Sequence, residues 1–144
     1  MAQRWADLKP LGAAAEMLVA HELMSMGLGI SMPLGDSEPY DLIATHKRKL
    51  SRLQVKSTHA GKDGVFRVLF RRGSSSNIEY CIDDCDYMVC VIYYVTGPSF
   101  YVIPVGALKG ARGIFWEQGK HPRHPDKWVR CIYEDYRNAW SPMF

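Results

Sequence analysis

The stretch from Tyr40 to Ser57 constrains this chain more than any other. It reads Tyr40-Asp41-Leu42-Ile43-Ala44, then a basic tip at Lys47-Arg48-Lys49, then Leu53-Gln54-Val55-Lys56-Ser57. Two apolar runs joined by a short charged connection predict a β-hairpin. Side chains alternate faces along a strand, so Gln54 and Lys56 share one face while Leu53 and Val55 share the other. An acid opening the first strand can then meet an amide oxygen and an ammonium on the second. Those are the parts of a divalent-metal site with a lysine beside it, the equipment of phosphodiester cleavage. A solvated hairpin face with scattered polar residues would read the same way, so the rest of the chain has to decide.

At 144 residues the chain is one domain's worth and can bury a single good core. Its 47% hydrophobic content, without a long low-complexity tract, predicts a chain folded throughout. The longest apolar run, Met88 to Val95, is too short to cross a bilayer, and an N-terminus carrying Arg4, Asp7 and Lys9 does not read as a signal peptide. The expectation is a cytoplasmic protein with no membrane partner. Its four cysteines are then expected as reduced thiols. Cys81 and Cys85 could ligate zinc with His121 and His124, but their spacing is not that of a CxxC knuckle, and Cys90 sits inside an apolar run as a core residue.

A net charge of +3 says little by itself, and its distribution says more. Lys47, Arg48, Lys49 and Arg52 crowd the hairpin; Lys62, Arg67, Arg71 and Arg72 crowd the segment after it. Basic groups gathered around one site suggest a polyanion, most simply nucleic acid, with a merely soluble basic surface as the plainer alternative.

Upstream, Leu11 to Met26 predicts an amphipathic helix with Leu11, Ala15, Leu18, Val19, Leu23 and Met26 inward and Gly27 as its stop. Glu16 falls on the edge of that buried stripe, where a carboxylate needs a partner. An ordinary salt bridge or a metal would serve. Gly12, one turn earlier, would let the helix lie close to a sheet. Leu28 to Pro33 reads as a short strand, and Gly35 to Pro39 as a turn-rich loop in which Ser37 caps the chain or binds a phosphate.

Downstream, Gly64 to Phe70 alternates and predicts a third strand of the hairpin's sheet, followed by a serine-rich loop bearing Arg71 and Arg72. Asp83, Asp84 and Asp86 read as turn and capping residues, with metal ligation as the alternative. Tyr87–Val95 and Ser99–Pro104 predict a second hairpin, apolar enough for the sheet interior. Pro104 to Gly110 predicts one helical turn. Gly113 to Val129 has no readable period, and its His121-Pro122-Arg123-His124 reads as a polar loop, with a ligand pair or phosphate contact as alternatives. Tyr133 to Trp140 predicts a closing helix.

This order of elements resembles the core of the PD-(D/E)xK nuclease superfamily. The resemblance is carried by Gly12-x-x-x-Glu16, Pro33-x-Gly35-Asp36-Ser37, Tyr40-Asp41-Leu42, Leu53-Gln54-Val55-Lys56 and Tyr101-Val102-Ile103-Pro104. It is nearest to the group I intron-encoded homing endonucleases with a Gln-x-Lys motif. It covers about residues 11–105 and leaves 106–144 unassigned within a single domain of residues 1–144, an extension suited to oligomerisation or DNA contact. Two departures are plain. Tyr40 stands where the superfamily's name puts proline, with Pro39 one place earlier, and Gln54 stands where an acid is usual.

The resemblance implies an α/β fold with a mixed central sheet flanked by helices and an Mg2+-dependent endodeoxyribonuclease, with Mn2+ as a substitute. It implies Glu16, Asp41, Gln54 and Lys56 as the catalytic set. Asp41, the Gln54 side-chain oxygen and the Val55 carbonyl would hold the ion, with Glu16 reaching it directly or through water. Lys56 would orient the attacking water and help to deprotonate it. A neutral amide brings no charge, so Gln54 lowers metal affinity unless Glu16 compensates. Ser37, Lys47, Arg48, Ser57, Lys62, Arg67, Arg71 and Arg72 are the expected contacts to double-stranded DNA. A duplex cut needs two sites, hence a homo-oligomer, either a dimer or a dimer of dimers. A Holliday-junction resolvase or repair nuclease of the same fold is one alternative, and a non-catalytic DNA-binding module with a decayed site is another.

Overall fold

The computed structural model describes residues 5–59, 61, 64–70, 80–94, 96–108, 111, 113–117 and 133–144. The order is α1 (Trp5–Ser25), β1 (Gly29–Ser31), β2 (Leu42–His46), β3 (Lys49–His59), β4 (Val65–Leu69), β5 (Tyr87–Tyr94), β6 (Gly97–Pro104) and β7 (Gly113–Glu117). Short 3-10 turns occupy Val105–Ala107, Glu134–Tyr136 and Ser141–Met143. None of the described helices is long and apolar enough to cross a membrane.

The predicted helix is present and begins upstream of its predicted start, at Trp5, with Pro10 inside it. A proline removes one helical donor, so it reads as a boundary where the chain in fact continues. Gly27, at φ +91°, ends the helix as predicted. The Gly27 N–H donates to the Met24 carbonyl, and the Leu28 N–H donates to the Leu23 carbonyl. That pair of bonds is a Schellman cap, and the buried Leu23 and Leu28 are its apolar contact. A side chain at Gly12 would meet nothing within 4 Å, so the approach of helix to sheet does not depend on that glycine.

Five strands form one mixed sheet in the order β1-β2-β3-β5-β6. The predicted hairpin is there: β2 and β3 pair antiparallel, with Leu42 opposite Leu53 and His46 opposite Lys49. Lys47 and Arg48 make its two-residue turn, with a positive φ only at Lys47 (54°), the pattern of a type II′ turn. β3 then pairs with β5 in parallel, with Val55 opposite Val89 and Lys56 opposite Cys90. The second predicted hairpin is also present, and β5 lies in the interior of the sheet. β6 does not; it is an edge strand. Pro98 and Pro104 lack the N–H that an interior strand would donate, and a proline in a sheet belongs at an edge. The edge is covered instead by the C-terminal segment, where Asn138 N–H donates to the Phe100 carbonyl.

β4 is not a third strand of this sheet. β2 pairs with β3 only as far as Leu53, and β4 pairs antiparallel with β7 in a separate ribbon rather than along the rest of that edge. The alternation within β4 was legible, but its partner lies in the segment without a readable period. The ribbon turns Phe66 and Val68 inward and leaves Arg67 and Leu69 exposed. No closing helix spans Tyr133–Trp140. Arg137 passes into extended backbone (φ −64°, ψ 122°) and ends the 3-10 turn, Asn138 follows at φ 52°, and Tyr133 and Trp140 are buried in the core.

Two apolar layers result, one on each face of the sheet. Ala15, Val19 and Leu23 of α1 meet Leu42, Leu53, Val89 and Val91, with Trp140 and Met143 completing that layer. On the other face Met88, Cys90, Ile92 and Ile103 meet Phe66, Val68 and Phe70. β5 contributes alternate residues to both, which explains its unbroken apolar run.

Candidate active site

β3 is longer than β2 and runs on past the point where β2 begins. At that point Asp41 N–H donates to the Leu53 carbonyl at 2.8 Å, which places Asp41 beside Gln54. Val55 is then the first residue of β3 whose β2-facing N–H and C=O have no strand partner there. The Asp41 carboxylate takes the donor: Oδ2 accepts the Val55 N–H at 2.7 Å. The same oxygen accepts from Gln54 Nε2 at 2.6 Å. Gln54 is buried at 8% exposure, and its Nε2 also lies 3.3 Å from the Val55 carbonyl oxygen. Asp41 and Gln54, expected side by side at the end of the hairpin, are in contact, with the amide nitrogen rather than the expected oxygen turned to Asp41.

Its electrostatics are those of crowded acids. Burial, then the charge of Asp41, then that of Asp36, holds the Glu16 carboxyl above the usual carboxylate range. Burial also raises Asp41, against the opposing pull of the Val55 N–H and of Lys56. Glu16 of α1 thus lies within the field of Asp41, the acid just before β2. Asp36 is a residue that the sequence reading did not single out. Its only signal was its place in the Pro33-x-Gly35-Asp36-Ser37 turn. Lys56 is half-buried, and its Nζ lies over the ring of Tyr80, 5.5 Å from the centroid. Nothing in the sequence marked Tyr80.

The expected DNA contacts are more dispersed than the sequence implied. Lys47 and Arg48 are exposed at the hairpin tip, about 20 Å along the strand from Gln54 at roughly 3.3 Å per residue. Ser37 is exposed in the loop before β2; Arg67 is exposed on the ribbon, and its backbone N–H donates to Thr58 Oγ1 of β3. Ser57 is half-buried and alternates onto the face opposite Lys56. Lys62, Arg71 and Arg72 lie outside the described residues. Two hairpin cations serve the fold instead. Lys49 Nζ donates to the Pro142 carbonyl. Arg52 donates to the Asp83 and Ile82 carbonyls at 2.7 Å each and pairs with Asp86 at 3.2 Å. Asp84 Oδ2 accepts the Cys81 N–H, the turn role expected of that acidic run. Cys85 beneath it is buried, and burial followed by the charges of Asp84 and Asp86 pushes its thiol up to about 12, so it is no nucleophile.

The residues at the strand end suit a hard divalent cation. Asp41, Glu16, the Val55 carbonyl and the Gln54 amide all offer oxygen ligands; burial disfavours the ionised form of both carboxylates, and the charge of Asp41 adds to this at Glu16. Among the described residues no three His, Cys, Asp or Glu side chains form a metal cluster by themselves. A cation here would therefore draw on the amide and the backbone carbonyl as well as on carboxylates.

Residues 6–129 match the family model described as PD-(D/E)XK endonuclease. The match begins upstream of residue 11 and runs past residue 105 into the segment that the motifs left unassigned. Among solved structures, the chain is similar to the bacterial homing endonuclease I-Ssp6803I, with a TM-score of 0.75 and 26% identity over 93% of this chain and 90% of that one. No match is found among the curated proteins.

Proposed function

The chain belongs to the PD-(D/E)XK endonuclease family, and from that premise we propose that it is a divalent-metal-dependent endodeoxyribonuclease cutting duplex DNA at a specific site, as a homing-type enzyme. The observation that carries the reading is the convergence on Asp41 of the Val55 N–H, the Gln54 amide, the charge of Glu16 and the charge of Lys56. The solved neighbour described as a homing endonuclease supports the finer assignment.

Asp41, the Val55 carbonyl, Gln54 and Glu16 would hold the cation, Mg2+ with Mn2+ as substitute. When bound, such an ion neutralises charge on the scissile phosphate and acidifies a water. The protein's own part is positional. The Val55 N–H fixes one Asp41 oxygen. Glu16 adds a second carboxylate from a separate element, so ligand geometry depends on the packing of α1 against the sheet. Lys56 projects its ammonium from the same face as Gln54, where it orients the attacking water and offsets negative charge on the phosphate. Ser37, Lys47, Arg48, Ser57, Lys62, Arg67, Arg71 and Arg72 remain the proposed DNA contacts.

One site of this kind cuts one strand, so we assign the active form to a homo-oligomer, a dimer or a dimer of dimers. The test is cleavage of duplex, four-way-junction and single-stranded DNA with Mg2+ and with EDTA, alongside sedimentation of the free and DNA-bound protein. Metal-dependent double-strand cuts at one sequence by an oligomer are expected. Preference for the junction would move the assignment to a resolvase. Binding without cutting would leave a DNA-binding module, and a monomer that only nicks would overturn the symmetric model.

A further inference from the structure

We propose that Gln54 holds the cation position itself while the site is metal-free, so that loading the site requires its amide to turn over. This rests on the reading of Asp41 and Val55 as cation ligands and goes beyond it. The amide nitrogen of Gln54 lies 2.6 Å from Asp41 Oδ2 and 3.3 Å from the Val55 carbonyl oxygen. Both neighbours are acceptors. Without a cation only the NH2 end of the amide can face them, because its oxygen would be a third acceptor among acceptors. With a cation between those oxygens the requirement inverts, and only the amide oxygen can face inward. The two ends of one side chain therefore serve the two states of the site.

A glutamate at this position has no donor to offer. It would present a carboxylate to Asp41 across the 2.6 Å that the Gln54 amide now bridges, a contact that a cation, or uptake of a shared proton, must relieve. Glutamine makes the empty site self-satisfied: the half-buried Asp41 keeps two donors on Oδ2, from Gln54 and Val55. The consequence is weaker metal affinity, since binding must first displace an internal hydrogen bond and gains no ligand charge. The site is thereby set to load under abundant divalent ion and to stand intact without it.

The experiment uses the full chain, labelled with 15N, in EDTA and then in rising Mg2+. Gln54 is assigned by the side-chain amide pair that disappears in Gln54→Glu. In EDTA one Gln54 amide proton is expected shifted downfield and exchanging with water at least about tenfold more slowly than the exposed glutamines, as a buried donor does. On Mg2+ addition it should move and lose that protection, with the same midpoint as Mg2+ binding measured by calorimetry. Gln54→Glu should melt lower than wild type in EDTA, gain more in melting temperature from Mg2+, and bind the ion at least about tenfold more tightly. An amide signal unmoved while Mg2+ binds would overturn the exchange and leave the metal reading standing. An amide that is unprotected in EDTA would overturn it as well. Protection in EDTA with no Mg2+ bound at any concentration would overturn both.

Discussion

Asp41 Oδ2 accepts the backbone N–H of Val55 at 2.7 Å, and this one bond closes the gap left where β2 stops and β3 runs on. It ties a side chain just before one strand to the backbone of the next, and the same oxygen also accepts from Gln54. Asp41→Asn keeps an oxygen to accept that bond but removes the charge. Cleavage should fall by at least about 100-fold, the loss of several kcal/mol of transition-state stabilisation, with duplex binding and the melting curve nearly unchanged. Substantial Mg2+-dependent cutting by this variant would remove Asp41 from the catalytic set.

Glu16 is raised by burial and by the charges of Asp41 and Asp36, so the folded protein favours its neutral form. A raised carboxyl pKa contributes stability that is present below the unfolded value and lost as pH rises through the folded one. Glu16→Gln should therefore melt higher than wild type at pH 7 in EDTA, and the difference should vanish towards pH 4, where both side chains are neutral. Saturating Mg2+ should reverse the order. Equal melting temperatures across the whole pH range would detach Glu16 from the acid cluster.

Lys56 lowers the Asp41 carboxyl from nearby without a direct bond to it among the described contacts. Lys56→Ala should abolish cleavage while metal affinity, read by calorimetry, stays the same or tightens, because a like charge has left the site. A sharp loss of metal affinity would make Lys56 a structural residue.

Arg52 holds the turn before β5 against β3 through Asp86 and the carbonyls of Ile82 and Asp83. Arg52→Ala should cost about 1–3 kcal/mol in denaturant unfolding, the range for lost hydrogen bonds to a charged group. The salt dependence of DNA binding should not change, since this arginine is already engaged. A flattened salt slope with normal stability would place Arg52 on the phosphate backbone.

Lys47 stands at φ 54° in the hairpin turn, a conformation that costs a side-chain-bearing residue about 1–2 kcal/mol and glycine nothing comparable. Lys47→Gly should raise stability by about 1 kcal/mol and reduce the salt slope of duplex binding by about one phosphate contact. Higher stability with an unchanged slope would leave the tip clear of DNA.

What the sequence determined by itself was local. The hairpin from Tyr40 to Ser57, the Gly27 stop, the second hairpin and the sharing of one face by Gln54 and Lys56 all follow from periodicity two, turn chemistry and short sequence separation. Glu16 was legible as a carboxylate on a buried edge, and the ordered set of motifs resembled the family before any contact was known. The tertiary structure alone decided which edges were free. β3 takes β2 and β5 as neighbours, β4 pairs with β7 apart from them, and the prolines of β6 suit its place at the margin. The same holds for the site's finer chemistry. Whether Gln54 shows its neighbours an oxygen or an NH2 depends on what lies across from it, and whether Arg52 and Lys49 meet DNA or hold backbone carbonyls depends on segments more than thirty residues away in sequence. Alternation along a strand states which way a side chain points, and only packing between distant segments states what it meets.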